Sequence, residues 1–227
     1  MKIYDDIEIV DLALKYKDNL ILGDIHIGLE ECMNKEGILI PRFQLEEIFN
    51  RLDKIFSKVK VKNVIINGDI KHEFGTISRQ EWRDTLRVLD YLMEKGNVIL
   101  IKGNHDTILG PIADKKEIKI LDYYNIDDIT ILHGHKIIPD LNKIIIIGHE
   151  HPAISFKERP SEKFKCFLKG SYRKHVLIVI PSFNFVFEGT NILKEKLLSP
   201  FLQQDLSKFE VFVVEDKVYN FGKLKDI

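Results

Sequence analysis

Short apolar runs rich in β-branched residues recur along the first two thirds of the chain, and each stops at a glycine or a polar cluster: "NLILGD" at 19–24, "NVIINGD" at 63–69, "NVILIKGNHD" at 97–106, "ITILHGH" at 129–135 and "KIIIIGHEH" at 143–151. Runs of this length that are apolar on both faces predict central strands covered on each side. Between the first three lie helical patterns. Pro41 opens "PRFQLEEIFNRLDKIFSKVK", where Phe43, Leu45, Ile48, Leu52, Ile55 and Phe56 recur near helical spacing. Ser78-x-x-Glu81 forms a capping box before "WRDTLRVLDYLMEKG", which Gly96 closes. Strand, helix, strand, helix, strand predicts an α/β layout.

After His151 the texture changes to strand-like pieces, "KFKCFLKG", "KHVLIVIP" and "FEVFVVEDKVYNF", with a less regular stretch from Ser182 to Lys208. A second sheet completing one domain over residues 1–227 is expected, since no repeat, low-complexity tract or Gly/Ser linker marks a boundary. The apolar fraction of 44% is ordinary for a packed core. A formal net charge of −1 excludes the global basic excess that neutralises a nucleic-acid backbone, so any such contact must be local. The cluster Lys163, Lys165, Lys169, Arg173, Lys174 is the one local candidate, and it reads first as a solvated face. Cys32 and Cys166 stand far apart and read as reduced thiols. The start MKIYDD lacks a secretory layout and the apolar runs are only strand-sized, which predicts a cytoplasmic protein with no membrane span. Heavy use of Ile, Lys and Glu fits a thermophile's composition.

Loops leaving the carboxyl ends of strands form the ligand crevice of an α/β sheet, and there the polar residues gather. Of eight histidines, His26, His105, His133, His135, His149 and His151 fall within a few residues of such an end, His72 follows close behind, and only His175 lies elsewhere. Taken singly, Asp24-Ile25-His26 reads as a cap or turn, Asp69 as a turn aspartate, and Gly103-Asn104-His105-Asp106 as a strand-terminating turn. Alternate spacing, however, sends Asp24 and His26 to the same side of an extended backbone. Two imidazoles at i and i+2 after a buried strand, as in His133/His135 and His149/His151, have no packing purpose and favour a metal. Gly68, Gly103, Gly134 and Gly148 stand beside these groups, where backbone must approach an ion closely.

In this order, Asp-x-His, Gly-Asp, Gly-Asn-His-Asp, a lone His and Gly-His-x-His over Asn19 to Pro152 resemble the calcineurin-like metallophosphoesterase superfamily. "GDIKHEFG" at 68–75 and, more loosely, "IPSFN" at 180–184 resemble archaeal phosphoesterases of the SbcD-like group, related to a double-strand-break repair nuclease. The resemblance implies a four-layer αββα sandwich, two mixed β-sheets face to face with helices outside. It also implies two divalent metal ions: Asp24, His26 and His151 would hold the first, Asp69 would bridge, and Asn104, His133 and His149 would hold the second. His133 takes precedence over His135 because the family's lone ligand aligns with the His before Gly. Glu150 is expected to point away.

The expected function is that of a dinuclear phosphoesterase, in which two cations generate a hydroxide nucleophile and clamp the phosphoryl oxygens. The catalytic set is then His105, as acid toward the leaving group, with His72 and Asp106 tuning or orienting it. Ligands without thiolate suit several ions. The nuclease resemblance favours Mn²⁺, with Zn²⁺, Fe and Ni²⁺ as alternatives. The expected substrate is a phosphodiester in a nucleotide or single-stranded nucleic acid, and a helicase or ligase partner follows by analogy alone. The stretch after the phosphoesterase motifs is too short for the DNA-capping domain of the repair nucleases, which speaks against processive duplex resection. Two other readings compete. One is a scaffold subunit of a nucleic-acid-processing complex that keeps the fold without turnover, against which the intact ligand set argues. The other is an all-helical His-Asp phosphohydrolase, against which the β-rich surroundings of His105 argue.

Overall fold

The computed structural model describes residues 1–73, 77–107 and 109–227. Phe74 and Gly75 of the longer "GDIKHEFG" motif lie outside them. The first sheet runs β1 (Lys2–Tyr4), β2 (Ile7–Val10), β3 (Ala13–Tyr16), β4 (Asn19–Leu22), β5 (Asn63–Asn67), β6 (Asn97–Ile101) and β7 (Ile120–Leu121), in that spatial order. Its first four strands are joined by tight antiparallel turns, and β4 to β7 are parallel because helices intervene. The second sheet is built from β8 (Tyr123–Ile126), β9 (Ile129–Leu132), β10 (Ile144–Ile147), β11 (Pro152–Phe156), β12 (Arg159–Tyr172), β13 (His175–Val179) and β14 (Thr190–Asn191), with β15 (Glu210–Val214) and β16 (Val218–Lys223) extending from β12. Here β9, β10 and β13 are parallel, and the long hairpins around β12 are antiparallel.

Among the described residues, the α-helices are α1 (Leu29–Lys35), α2 (Gln44–Lys58), α3 (Arg79–Lys95) and α4 (Gly110–Lys115). Helix α2 begins at Gln44 rather than at Pro41, because the Glu30 carboxylate accepts hydrogen bonds from the amides of Phe43 and Gln44, both at 2.8 Å, and so fixes the first turn from outside the helix. Half of the capping box forms at α3. Ser78 Oγ accepts from Glu81 N at 3.0 Å, but the Glu81 carboxylate turns away to accept from the amides of His72 and Glu73, at 2.8 and 3.0 Å. The cap therefore secures a loop that carries a candidate catalytic residue. Gly96 ends α3, as its position predicts.

The run Ile144–Ile147 shows how the layers share one strand. Ile144 and Ile146 face the space between the sheets with Phe167 and Phe212, whereas Ile145 and Ile147 face outward with Leu177, Val179 and Phe201. The inner core continues beneath the other sheet to Ile48, Leu52 and Ile55 of α2 and Val88, Leu89 and Leu92 of α3. The architecture is α/β, two mixed sheets with flanking helices. Its fourth layer, over the second sheet, is irregular chain with 3₁₀ turns at Pro200–Leu202 and Leu224–Asp226, and Phe201, Leu202, Leu206 and Leu224 insert from it. Both cysteines are free thiols, Cys166 buried and Cys32 half-buried. Among the described residues no helix is long and apolar enough to cross a membrane.

Candidate metal centre

Five strands, β4, β5, β6, β9 and β10, end at one place between the sheets, and the loops that leave them carry every candidate ligand. Asp24, His26 and His151 bring ligand atoms within 4.8 Å of one another, and so do Asp69, His133 and His149. Asp69 faces both groups: its Oδ2 lies 3.2 Å from His133 Nε2 and 3.9 Å from His26 Nε2. Asn104 Oδ1 lies 2.9 Å from His133 Nε2, beside the second group. The structure thus brings all seven residues named from the sequence together at one place. His135 stands further back, its ring 5.2 Å from that of His133, whereas His133 nitrogens lie 3.2 Å from both Asp24 and Asp69. His175, the histidine set apart in the sequence, bonds to the carbonyl of Asn142.

The backbone bends to achieve this. His26, Asp69, His149 and His151 all adopt left-handed conformations, with φ of 51°, 39°, 64° and 50°. Side-chain-bearing residues seldom take up this region, and a cluster of them marks a site where the fold enforces local strain. Glycine provides the clearance. A Cβ at Gly103 would collide with the Asp69 carboxylate, and one at Gly68, itself at φ 91°, with the His133 ring.

The donor set fits cations better than protons. Asp24 Oδ1 is buried and receives no hydrogen bond, although ring nitrogens of His133 and His151 lie at 3.2 and 3.4 Å. Ring nitrogens also face one another, His26 Nε2 against His151 Nε2 at 3.3 Å and His149 Nδ1 against His133 Nε2 at 3.2 Å. Each such pair needs a proton between its nitrogens, and a cation can take that proton's place. Without a cation, His133 fills that need. Burial opposes its protonation, but the carboxylates of Asp24 and Asp69 prevail and raise it to about 9. Burial would likewise raise Asp24, yet the imidazoles of His133 and His151 hold it at about 2. Burial and the charge on His133 push His149 down to about 4, a neutral ring with a free lone pair.

On the open side, His105 Nδ1 donates to the carbonyl oxygen of His72 at 2.6 Å, and its Nε2 lies 4.0 Å from Asp69 Oδ2. The His72 ring stacks on it, centroids 5.3 Å apart and planes 23° apart. Burial and neighbouring His105 lower His72 to about 4, so its ring is neutral at pH 7. Asp106 turns back on its own loop and accepts from Gly103 N at 2.9 Å, while burial and the charge of Asp69 raise it to about 7.

Several residues that matter here escape sequence reasoning. Glu150, between His149 and His151, is buried and accepts from the amides of Leu198 and Ser199, both at 2.8 Å. Asn184, noted in "IPSFN", donates to the carbonyl of Ile25, between two candidate ligands, at 3.0 Å. Lys163 and Lys165, read as part of a solvated face, fasten the 182–199 segment instead: Lys165 Nζ donates to Ser182 Oγ and the Phe187 carbonyl, and Lys163 to the Gly189 carbonyl and Glu195. Their alternation with Phe164 and Cys166 along a strand was the available signal.

A two-sheet sandwich with His, Asp and Asn side chains gathered at its strand ends defines a class of metal-dependent phosphoesterase folds. Residues 20–169 match the family model for calcineurin-like phosphoesterase, and the chain belongs to that family. It is 26% identical over 175 residues to the DNA polymerase II small subunit of Methanocaldococcus jannaschii, covering 64% of this chain but only 29% of that protein. Among solved structures, the nuclease MPE of Pseudomonas putida shares the fold, with a TM-score of 0.68 and 19% identity over 94% of this chain and 93% of that one.

Proposed function

We propose that this protein is a dinuclear metal phosphoesterase acting on phosphodiester bonds of nucleotides or nucleic acid. The observation that carries this reading is the position of Asp69, whose carboxylate lies between the group Asp24/His26/His151 and the group His133/His149/Asn104. The first group would hold one ion and the second group the other, with Asp69 shared. Two divalent cations in such a site supply Lewis-acid polarisation of the phosphoryl oxygens and a water acidified enough to act as nucleophile near neutral pH. Manganese is the first ion to test, since a ligand set of imidazole, carboxylate and amide without thiolate accepts it along with Fe, Zn²⁺ and Ni²⁺.

The protein's own contribution lies in proton handling and orientation. Because His105 Nδ1 is committed to the His72 carbonyl, any proton His105 delivers to a leaving oxygen leaves from Nε2, which faces the cavity. His72 acts as a positioning residue through its carbonyl and its stacked ring. Asp106 keeps the Asn104–His105 turn closed. The fold likeness to a nuclease supports nucleic acid or a nucleotide as substrate.

A second reading, a subunit that keeps the fold for assembly, draws support from the similarity to a polymerase small subunit. Hydrolysis of bis-p-nitrophenyl phosphate with Mn²⁺, Fe, Zn²⁺ or Ni²⁺ separates the two. Turnover by the purified protein, abolished by chelator and by Asp69→Asn, is the result expected of the phosphoesterase. No turnover with any of these ions would leave the assembly reading in its place.

A further inference from the structure

The cavity in front of the metal centre measures about 260 Å³ and has two unlike walls. One is the histidine-rich wall described above. The other includes Phe187 and Leu198, which remain 51% and 66% exposed although each belongs to a tightly held segment. Exposed apolar side chains on a rigid mount at the mouth of a polar site call for a ligand with an apolar face.

Each mount leads back to the residue between a pair of candidate ligands. Asn184 Nδ2 donates to the carbonyl of Ile25, between Asp24 and His26, and its Oδ1 accepts from the amides of Val186 and Phe187 at 2.9 and 3.1 Å. Lys165 Nζ grips the Phe187 carbonyl at 2.9 Å. Glu150, between His149 and His151, accepts from the amide of Leu198. The apolar rim is thus held in register with the two ligand pairs. Two polar groups on this side are already engaged: the Asn184 amide at both ends, and Ser182 Oγ through Lys165 at 2.7 Å.

We infer that Phe187, with Leu198 lining the same cavity, is a stacking platform for the nucleobase of the nucleotide whose phosphate occupies the metal centre. This inference rests on the phosphoesterase reading and narrows its substrate class to nucleoside phosphodiesters. The cavity lies below the roughly 300–1,000 Å³ that encloses a whole drug-sized ligand, so it takes the phosphoryl group and one attached unit and leaves the rest of a polymer outside. Stacking on an aromatic ring tolerates any base, because every base offers a π-face.

Two esters with the same leaving group and the same sugar isolate the base: thymidine 5′-(p-nitrophenyl phosphate) and its base-free counterpart, 1-O-methyl-2-deoxyribose 5-(p-nitrophenyl phosphate). The protein is expected to prefer the thymidine ester in kcat/KM. Phe187→Ala should lower that preference by roughly five- to a hundredfold, the span of one base-aromatic stack, and Phe187→Tyr should restore it. A wild-type protein without preference, or a preference that Phe187→Ala leaves within twofold, would overturn the inference. Release of nitrophenolate from neither ester would instead remove the phosphoesterase reading, and calorimetry with thymidine 5′-phosphate against deoxyribose 5-phosphate then decides. Tighter binding of the thymidine compound that Phe187→Ala abolishes supports the platform, and equal binding of the two refutes it.

Discussion

The two sheets reach one cavity by different constructions. The first is covered by α2 and α3, whose apolar stripes recur at helical spacing, and it delivers Asp24, His26, Asp69 and Asn104 from parallel strand ends. The second is covered by irregular chain anchored by Phe201, Leu202 and Leu206, and it delivers His133, His149 and His151. Covering a sheet with helix separates support from chemistry, since α2 and α3 contribute no candidate ligand. Covering it with loop joins them. The segment that shields the second sheet also places Leu198 in the cavity, and the stretch just before it places Phe187 there.

The largest expected effect tests whether the two halves meet at a shared ion pair. Asp69→Asn keeps the shape of a buried side chain and removes its charge, so bound metal, counted by elemental analysis, should fall from two equivalents to one or fewer. Turnover should drop by about 10³-fold or more, several kcal/mol of lost charge stabilisation. Two equivalents retained would mean the halves hold their ions independently. Next comes the contrast between covers. Phe201→Ala should cost about 3–5 kcal/mol in urea unfolding, on a par with the roughly 2–5 kcal/mol expected for Leu89→Ala on the buried face of α3. A cost under about 1 kcal/mol for Phe201 would show that the irregular cover is not a core layer.

His105→Ala should slow turnover by roughly 10²–10⁴-fold with metal content intact, the usual worth of general acid catalysis. Loss of metal in that variant would make His105 a ligand and not a proton donor. The smallest effect belongs to the link between ligand loop and cover. Glu150→Gln weakens two charge-assisted bonds to the amides of Leu198 and Ser199, and should cost about 1–2 kcal/mol of stability and raise KM while kcat holds. Unchanged KM and unfolding midpoint would mean the 198–199 turn is held by other contacts.

What could be read from the sequence follows the same division. The gathering of candidate ligands at strand ends was visible because the sheet forces buried runs to stop where polar side chains begin, and α2 and α3 were visible by their period. The start of α2 was misplaced because its cap comes from Glu30, which local sequence around Pro41 does not contain. Glu81 looked like the second half of a capping box, and only the fold shows its carboxylate diverted to His72. The cover of the second sheet has no period to detect. Lys165 looked like a surface charge because its partners, Ser182 and Phe187, lie 17 and 22 positions away.

The most direct test of the central claim is a crystal structure grown with Mn²⁺ and measured for anomalous scattering at the manganese edge. Two peaks are expected, one among Asp24, His26 and His151, the other among Asn104, His133 and His149, with the Asp69 carboxylate touching both. A single peak, or a pair that leaves Asp69 without a metal, would contradict the account.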